Sequence, residues 1–513
     1  MKARRALISV HDTTGLVEFV SELGKLGIEV IAADETEGTL RDAGVEVKGV
    51  AQHIGAAALA GGGNVKSMHP DLSRAILWGR DAGDLEGIDE ADDLSFDIVV
   101  VNLKPFERIA ARRDSRENDV IDAIDVEGPA ILRAAAKNFE RVVVVADPDV
   151  YPLVIEELKQ TGLDPSFDTR KLLASRAFDC TAHYELSVAN WFSEVEEFPT
   201  LLLRDYVKLV DLPYGENPHQ RSAYYVEVGA RRHLLSMVEQ HQGTDLTFNN
   251  LEDLNVARGV VSDFTIPACV IVKHGAPAGM SISGDAASAF RRALESDPRS
   301  VYGGVIAINR TVNAETARVI ADHWFDVIFA PDYSEDAKAI FAERLPDMRV
   351  LQDNERRTKS PGERDMRRVI GGMLVQDMDS EHVDRDFMDV PTAVTPSELQ
   401  WGDMLFAWRV GKWVRSNAIV LAKDLTTVGI GGGTPSRHEG IDYALGKAGV
   451  RARGSMMASD AFLGYDDTVK AAIDAGIAGI IQPGGSKRDD EIVALCDAAG
   501  IPMVLTHRRH FRH

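Results

Sequence analysis

Cysteine is scarce in this chain, with three in 513 residues: Cys180, Cys269 and Cys496. They lie far apart and show no CxxC or Cys/His spacing, which argues against a disulfide framework and against a zinc site or other metal site. Positive charge is also in short supply. Fifty-seven basic residues face 80 acidic ones, a formal net charge of -23. Nucleic-acid binding needs a basic face to neutralise phosphates, so nucleic acid is not an expected partner. An anionic small molecule is still admissible, provided local cationic pockets are set against the overall field. No uninterrupted apolar run is long enough to span a bilayer, so no membrane partner is expected. The first residues, MKARRALISVHDTTG, pass directly into a strand-like segment without the apolar stretch of a signal peptide. With so little cysteine, the expected location is the cytoplasm. Low-complexity segments and short-period repeats are absent as well.

What is present is ordinary for globular proteins: 45% hydrophobic and 27% charged residues. The length exceeds what one hydrophobic core serves, so two or more domains are expected. Ala6–Val10 reads as a short buried strand. Leu16, Val17, Val20, Leu23 and Leu26 then recur at helical spacing, and Val30–Ala33 reads as a second strand. Asp97–Leu103 and Val142–Ala146 are further strands, apolar almost throughout. Such strands separated by helical segments predict a parallel sheet covered on both faces, hence an α/β domain. Around residues 191–202 an acidic run and Pro199 interrupt the pattern, and the domain boundary is placed there, giving 1–198 and 199–513. Beyond it, ACVIVKH, VYGGVIAI, AIVLAK and AGIIQPGG are new α/β signals, with glycines and polar residues at strand ends where open sheets build ligand sites.

Several segments together carry a resemblance. In the second part they are YGENPHQ (214–220), FNNLEDL (248–254), VIVKHGAPAG (270–279), SNAIVLAKD (416–424), VGIGGG (428–433), SDAF (459–462), IIQPGGS (480–486) and RHFRH (509–513). In the first they are RALISV, VKSMHP (65–70), VVNLKPFE, AIDVEGP and LRAAAKN (132–138). In this order they are similar to the bifunctional AICAR transformylase/IMP cyclohydrolase family along the whole chain. The resemblance implies an N-terminal domain like methylglyoxal synthase, a parallel-sheet fold, followed by a transformylase region of two cytidine-deaminase-like α/β subdomains. It also implies a homodimer with transformylase sites at the subunit interface. The implied substrate is the nucleotide AICAR and the implied formyl donor is 10-formyltetrahydrofolate; a monovalent cation is compatible with the resemblance.

Formyl transfer onto a weakly nucleophilic aromatic amine needs a proton acceptor and stabilisation of an oxyanion. Lys273 and His274, at the end of an apolar strand, match the family's catalytic pair, and Asn417 matches its orienting asparagine. The resemblance assigns Tyr214, Gly215, Asn250, Gly303, Asp326, Arg437, Phe462 and Arg509 to the nucleotide. Guanidinium groups suit phosphate or carboxylate. Pro483, Gly484, Gly485 and Ser486 match a folate-side loop that follows a strand and exposes backbone amides. Read bare, several of these have plainer meanings: Phe462 as core, the arginines as surface ion pairs, and residues 483–486 as a turn.

There are departures. Pro213 stands where the family carries an arginine that reaches the substrate phosphate, and Leu463-Gly464-Tyr465 and Thr434-Pro435 are also unusual. In the first part Lys66, Asp125 and Lys137 match the ring-closing residues, but Lys104 replaces a tyrosine. Asp34 and Glu35 stand where a phosphate loop has glycines, and Thr13, Asn64 and Glu127 replace a lysine, an arginine and a glycine. These changes remove cations and add anions, so phosphate binding there should be disfavoured. The leading expectation is folate-dependent formyl transfer to AICAR or a close analogue, with cyclohydrolase activity in doubt. The alternatives are an ordinary bifunctional enzyme making IMP and a non-catalytic nucleotide-binding regulator.

Overall fold

The computed structural model describes residues 4–53, 69–77, 95–112, 114–193, 197–228, 238–353, 364–381 and 383–513. Lys66 and Asn64, singled out above, lie outside the described residues. The chain divides into two compact units. One holds residues 1–206 and 227–229, the other 207–226 and 230–513. Among the described residues no helix is long and apolar enough to cross a membrane.

The first unit is built on five parallel strands: β1 (Arg5–Ser9), β2 (Glu29–Ala32), β3 (Lys48–Gly49), β4 (Ile98–Val101) and β5 (Val143–Val145). Their order is β3-β2-β1-β4-β5. Every residue of β4 and β5 is buried, as expected for strands covered by helices on both faces. Both ends of β4 fall inside the expected run because side chains take over the hydrogen bonding. Asp97 Oδ2 accepts the amides of Arg4 and Arg5, and Asn102 Oδ1 accepts those of His11 and Asp12. The order reverses between β1 and β4, where an open α/β sheet places its ligand crevice.

The second unit opens with residues 207–226 of the hairpin β6 (Tyr206–Leu212) and β7 (Ser222–Glu227). Its main sheet then assembles from β8 (Val238–Gln242), β9 (Ala268–Lys273), β10 (Ala276–Ile282), β11 (Val305–Ile308), β12 (Val327–Ala330) and β13 (Arg349–Asp353). After the hairpin β14 (Arg364–Val369) and β15 (Gly372–Asp377), it adds β16 (Ile419–Lys423), β17 (Thr426–Gly431), β18 (Met456–Ser459), β19 (Gly479–Gln482) and β20 (Met503–Leu505). The order is β20-β19-β18-β16-β17-β10-β9-β11-β12-β13-β8, which reads almost as a palindrome about the antiparallel β17–β10 pair. Each half contributes a hairpin (β9–β10, β16–β17) followed by parallel strands.

Helices Phe248–Ser262 and Glu398–Gly411 cover one face of the sheet and share one apolar core with it. On the other face each half has its own core, under helices such as Ala286–Ser296 and Arg437–Ala448. Close approach there demands glycine. A Cβ on Gly279 would lie 2.1 Å from the Ala293 carbonyl oxygen, and one on Gly429 would lie 2.2 Å from that of Ala444.

Candidate functional site

The site in the second unit starts from a helix cap. Thr247 Oγ1 accepts the Asn250 amide at 3.2 Å while Asn250 Oδ1 accepts the Thr247 amide at 3.1 Å, a reciprocal box that fixes the first turn of helix Phe248–Ser262. That helix carries Asp253 to the turn between β9 and β10. Its carboxylate accepts the amide of His274 at 3.2 Å and that of Gly275 at 2.5 Å. Both residues have left-handed backbones, with φ of 55° and 72°, so the two amides converge on one acceptor. His274 is thereby held just past the strand end. Lys273 donates its Nζ to the Tyr302 carbonyl.

Asn250 and Asp326 join this cluster. Asn250 Nδ2 lies 3.5 Å from Asp326 Oδ2, and burial raises the Asp326 pKa against the opposing pull of Arg349, Asn250 and Lys273. Burial likewise raises Asp253, opposed by the Gly275 and His274 amides. Glu252 is raised by burial and by the nearby charges of Glu216 and Asp253. Glu216 belongs to the 214–220 loop, whose shape is set by the Gly215 amide on the Gln220 carbonyl at 2.8 Å and by Asn217 on Gln220 Oε1 at 2.9 Å. This loop reaches the helix through Asn249, whose Nδ2 lies 3.4 Å from the Glu216 carbonyl oxygen. Gly303, with φ 72°, leaves no room for a side chain against Trp324, 2.7 Å from a Cβ position. So Lys273, His274, Asn250, Asp326, Gly303 and the Tyr214–Gly215 loop are gathered at one end of β9.

The other sequence-expected residues form a second group. Asn417 donates to the carbonyls of Thr434 and Pro435 at 3.0 and 3.2 Å. Arg437 is paired with buried Asp460 at 2.5 Å, and the second oxygen of that carboxylate accepts Ser416 Oγ at 2.5 Å. Phe462 is 48% exposed, which removes the reading of it as core. Arg509 is exposed and stacks on Phe511, its guanidinium carbon 4.3 Å from the ring centroid. β9 and β16 run antiparallel with β10 and β17 between them, so Lys273 and Asn417 share one end of the sheet, on strands about 14 Å apart across it. Among the described residues no hydrogen bond joins them: Lys273 bonds Tyr302, and Asn417 bonds Thr434 and Pro435.

One expectation is corrected. The amides of the 483–486 loop are not free to meet a ligand. Asp489 Oδ2 accepts those of Gly485 and Ser486 at 2.7 and 3.1 Å, and Gln482 Oε1 accepts that of Gly484 at 3.2 Å. The loop is a nest already filled by the first turn of helix Asp489–Ala499. In the first unit, Asp34 and Glu35, which stand in place of the glycines of a phosphate loop, begin helix Asp34–Asp42. Thr36 there exchanges both of its hydroxyl hydrogen bonds with the backbone of Val10.

Of the remaining first-unit residues, Lys104 and Asp125 meet: the Lys104 amide donates to Asp125 Oδ2 at 3.3 Å. Asp125 Oδ1 takes the Gly128 amide at 2.9 Å, and a Cβ on Gly128 would lie 2.6 Å from Asp125 Oδ2, so this glycine makes the approach feasible. Lys137 ends the helix Glu127–Lys137, about 15 Å of helical rise from its start.

Asp253, Arg415, Asp460 and Asp489 were missed from the sequence. Asp253 had a signal: Thr247, Asn250, Asp253, Lys273 and Gly279 recur at one constant offset as Ser397, Gln400, Asp403, Lys423 and Gly429. The others are set by tertiary contacts with no local pattern.

A family model described as AICARFT/IMPCHase bienzyme matches residues 135–447, and one described as MGS-like domain matches 15–130. Among curated proteins, the Bifunctional purine biosynthesis protein PurH of Xylella fastidiosa (strain 9a5c) is 41% identical over 100% of this chain and 99% of its own length. The protein of the same name from Bacillus mycoides (strain KBAB4) is 40% identical over 99% of this chain and 100% of its own. A solved chain described as the crystal structure of ForH is 34% identical over 37% of this chain and 99% of that one, with a TM-score of 0.33. With a family model over 135–447 and relatives at 40–41% identity from end to end, the chain belongs to the AICARFT/IMPCHase bienzyme family.

Proposed function

We propose that the second unit transfers a formyl group from 10-formyltetrahydrofolate to the amine of AICAR or a close nucleotide analogue. The observation that carries this reading is the Lys273–His274–Gly275 turn clamped by Asp253, with Asn250 and Asp326 beside it. In the transfer the amine nitrogen bonds to the formyl carbon and loses a proton, while the bond from that carbon to the folate nitrogen breaks and the nitrogen is protonated. His274 takes the amine proton. The amides of His274 and Gly275 already donate to Asp253, so charge on the formyl oxygen must be met by side chains. Lys273 is the cation at the turn. Asn417 orients the reacting groups, Arg437 and Arg509 serve the nucleotide, Phe462 offers an exposed face to its heterocycle, and residues 483–486 border the folate. A monovalent cation enters no step of this reading.

The two groups of residues, apart within one chain, fit a homodimer in which one copy completes the other's site. Exposed apolar side chains on the hairpins support pairing: Val207 and Leu209 on β6, Leu374 on β15, and Ile370 in the turn before it. Sedimentation of the full chain at micromolar concentration should give a dimer, and a monomer would contradict this part.

The relatives named above are called bifunctional, and ring closure to IMP is assigned here to the first unit in a weakened form. A lysine at position 104 cannot supply a phenol's oriented hydroxyl. The test is to incubate the purified chain with AICAR and 10-formyltetrahydrofolate and separate products by mass spectrometry. The expected result is accumulation of formyl-AICAR. IMP as the main product would show full ring closure, and no product would contradict formyl transfer.

A further inference from the structure

One group of cations beside the transfer turn has no role in the reading above. Arg415 precedes the Ser416–Asn417 peptide, and its Nη2 lies 3.6 Å from where a side chain on Gly275 would begin. Its carbonyl accepts the Gly433 amide at 2.8 Å, which fixes the backbone on that side. Arg512 is tied to the same segment: its carbonyl accepts the Ser416 amide at 2.8 Å, and its guanidinium carbon lies 5.0 Å from the Trp413 ring centroid. Arg367 and Asp365 of β14 face Arg512. Three guanidinium groups therefore converge in a protein of net charge -23.

The group lacks a full set of counter-charges. Among the described residues, neither the Arg415 nor the Arg512 side chain makes a hydrogen bond or an ion pair. Asp365 is already engaged by Gln376 at 2.7 Å and by Arg367 at 3.4 Å. Glu252 faces Arg415 from the helix side, among the acidic neighbours Glu216 and Asp253. Burial lowers the Arg512 pKa, and Arg415 and Arg367 push it the same way against Asp365. An incoming anion relieves that strain, and a guanidinium fork meets phosphate or carboxylate oxygens with two parallel hydrogen bonds.

We infer that Arg415 and Arg512, with Arg367 at the rim, form a subsite for an anionic group, phosphate or carboxylate, of a molecule bound at the Lys273–His274 turn. The inference rests on that turn being the transfer site. Two sources carry the required chemistry: the nucleotide's phosphate and the glutamyl carboxylates of the folate.

The test is titration calorimetry on the full chain with AICAR, its unphosphorylated riboside, and folates carrying one or three glutamyl groups. Arg415→Gln is the primary variant, because Arg415 is exposed. Arg512→Lys, which keeps the charge and stem on Trp413, guards against loss of fold in Arg512→Gln. The expected result is that Arg415→Gln and Arg512→Gln each weaken one anionic ligand at least about tenfold, with Arg512→Lys between Arg512→Gln and wild type. A loss for AICAR but not its riboside assigns the phosphate, and a loss that grows with glutamyl number assigns the carboxylates. Unchanged binding of AICAR and both folates by the Gln variants overturns the inference. So does an equal loss for the riboside, or absence of binding of any of these by the wild type. Binding needs no turnover, so a wild type that binds through these arginines yet transfers no formyl group refutes the function and leaves the subsite standing.

Discussion

In the first half of the second unit Asp253 receives the amides of His274 and Gly275; in the second half Asp403 receives those of Asp424 and Leu425, at 2.9 and 2.6 Å. Both aspartates come from helices opened by a capping box, Thr247 with Asn250 and Ser397 with Gln400. Both turns follow a lysine at a strand end, and both have left-handed backbones. The residues they carry differ. Where the first half has Glu252 and Gly275 beside an imidazole, the second has Gly402 and Leu425 beside a carboxylate. Leu425 adopts φ 56°, packs into the shared core, and lies 3.7 Å from a Cβ position on Gly402. Lys423 is turned to the Arg453 carbonyl at 3.3 Å, and Arg292 covers the Asp424 carbonyl. The aspartate clamp is therefore architecture common to both halves, and chemistry depends on what the clamped turn presents.

That contrast can be broken by paired substitutions. Lys273→Ala should cut formyl transfer about a hundredfold or more, as loss of one electrostatic stabiliser does, while Lys423→Ala leaves it within about twofold in a steady-state assay. Equal losses would put a second working site in the molecule. Asp253→Ala and Asp403→Ala each strip an acceptor from two amides and should each cost about 1–3 kcal/mol in urea denaturation. Only Asp253→Ala should also lower kcat. Gly279→Ala and Gly429→Ala force a Cβ onto a helix carbonyl in the same place of each half, so each should destabilise by about 1–3 kcal/mol, and by similar amounts. A neutral effect in either would show that the halves do not share this packing. The smallest effect concerns acid. Asp326 has a raised pKa, so the folded chain holds a proton just above the ordinary carboxylate range that the unfolded chain has released. Stability from this group falls as pH rises through that window. Asp326→Asn should flatten the slope in denaturation curves taken across it, and an unchanged slope would remove the burial argument.

Much of this was legible in residues. The apolar runs gave β4, β5, β9, β11, β16 and β19, because strands covered on both faces are apolar almost throughout, whether their neighbours are parallel or, as for β9 and β16, antiparallel. Lys273 and His274 could be placed at a strand end, but the carboxylate that holds their turn lies twenty residues earlier on a helix, and its signal is the recurrence of the pattern at Asp403 and Lys423 rather than anything local. Residues 483–486 looked like open amides because glycines at positive φ do form nests, while Asp489, which fills this one, reads in sequence as an ordinary acidic helix start. Asp34 and Glu35 looked like loop residues by comparison with glycines, yet residues after an extended Ala33 readily begin a helix. Asp460 draws in Arg437 and Ser416 from distant segments, a convergence that only the fold produces.

The most direct measurement compares His274→Ala with Asp424→Ala in a single-turnover assay with AICAR and 10-formyltetrahydrofolate, with formyl-AICAR plus IMP counted by mass spectrometry and folding checked by circular dichroism. A loss of about a hundredfold or more is expected for His274→Ala, with a rate near wild type for Asp424→Ala. Wild-type turnover in a folded His274→Ala chain would contradict the role given to His274.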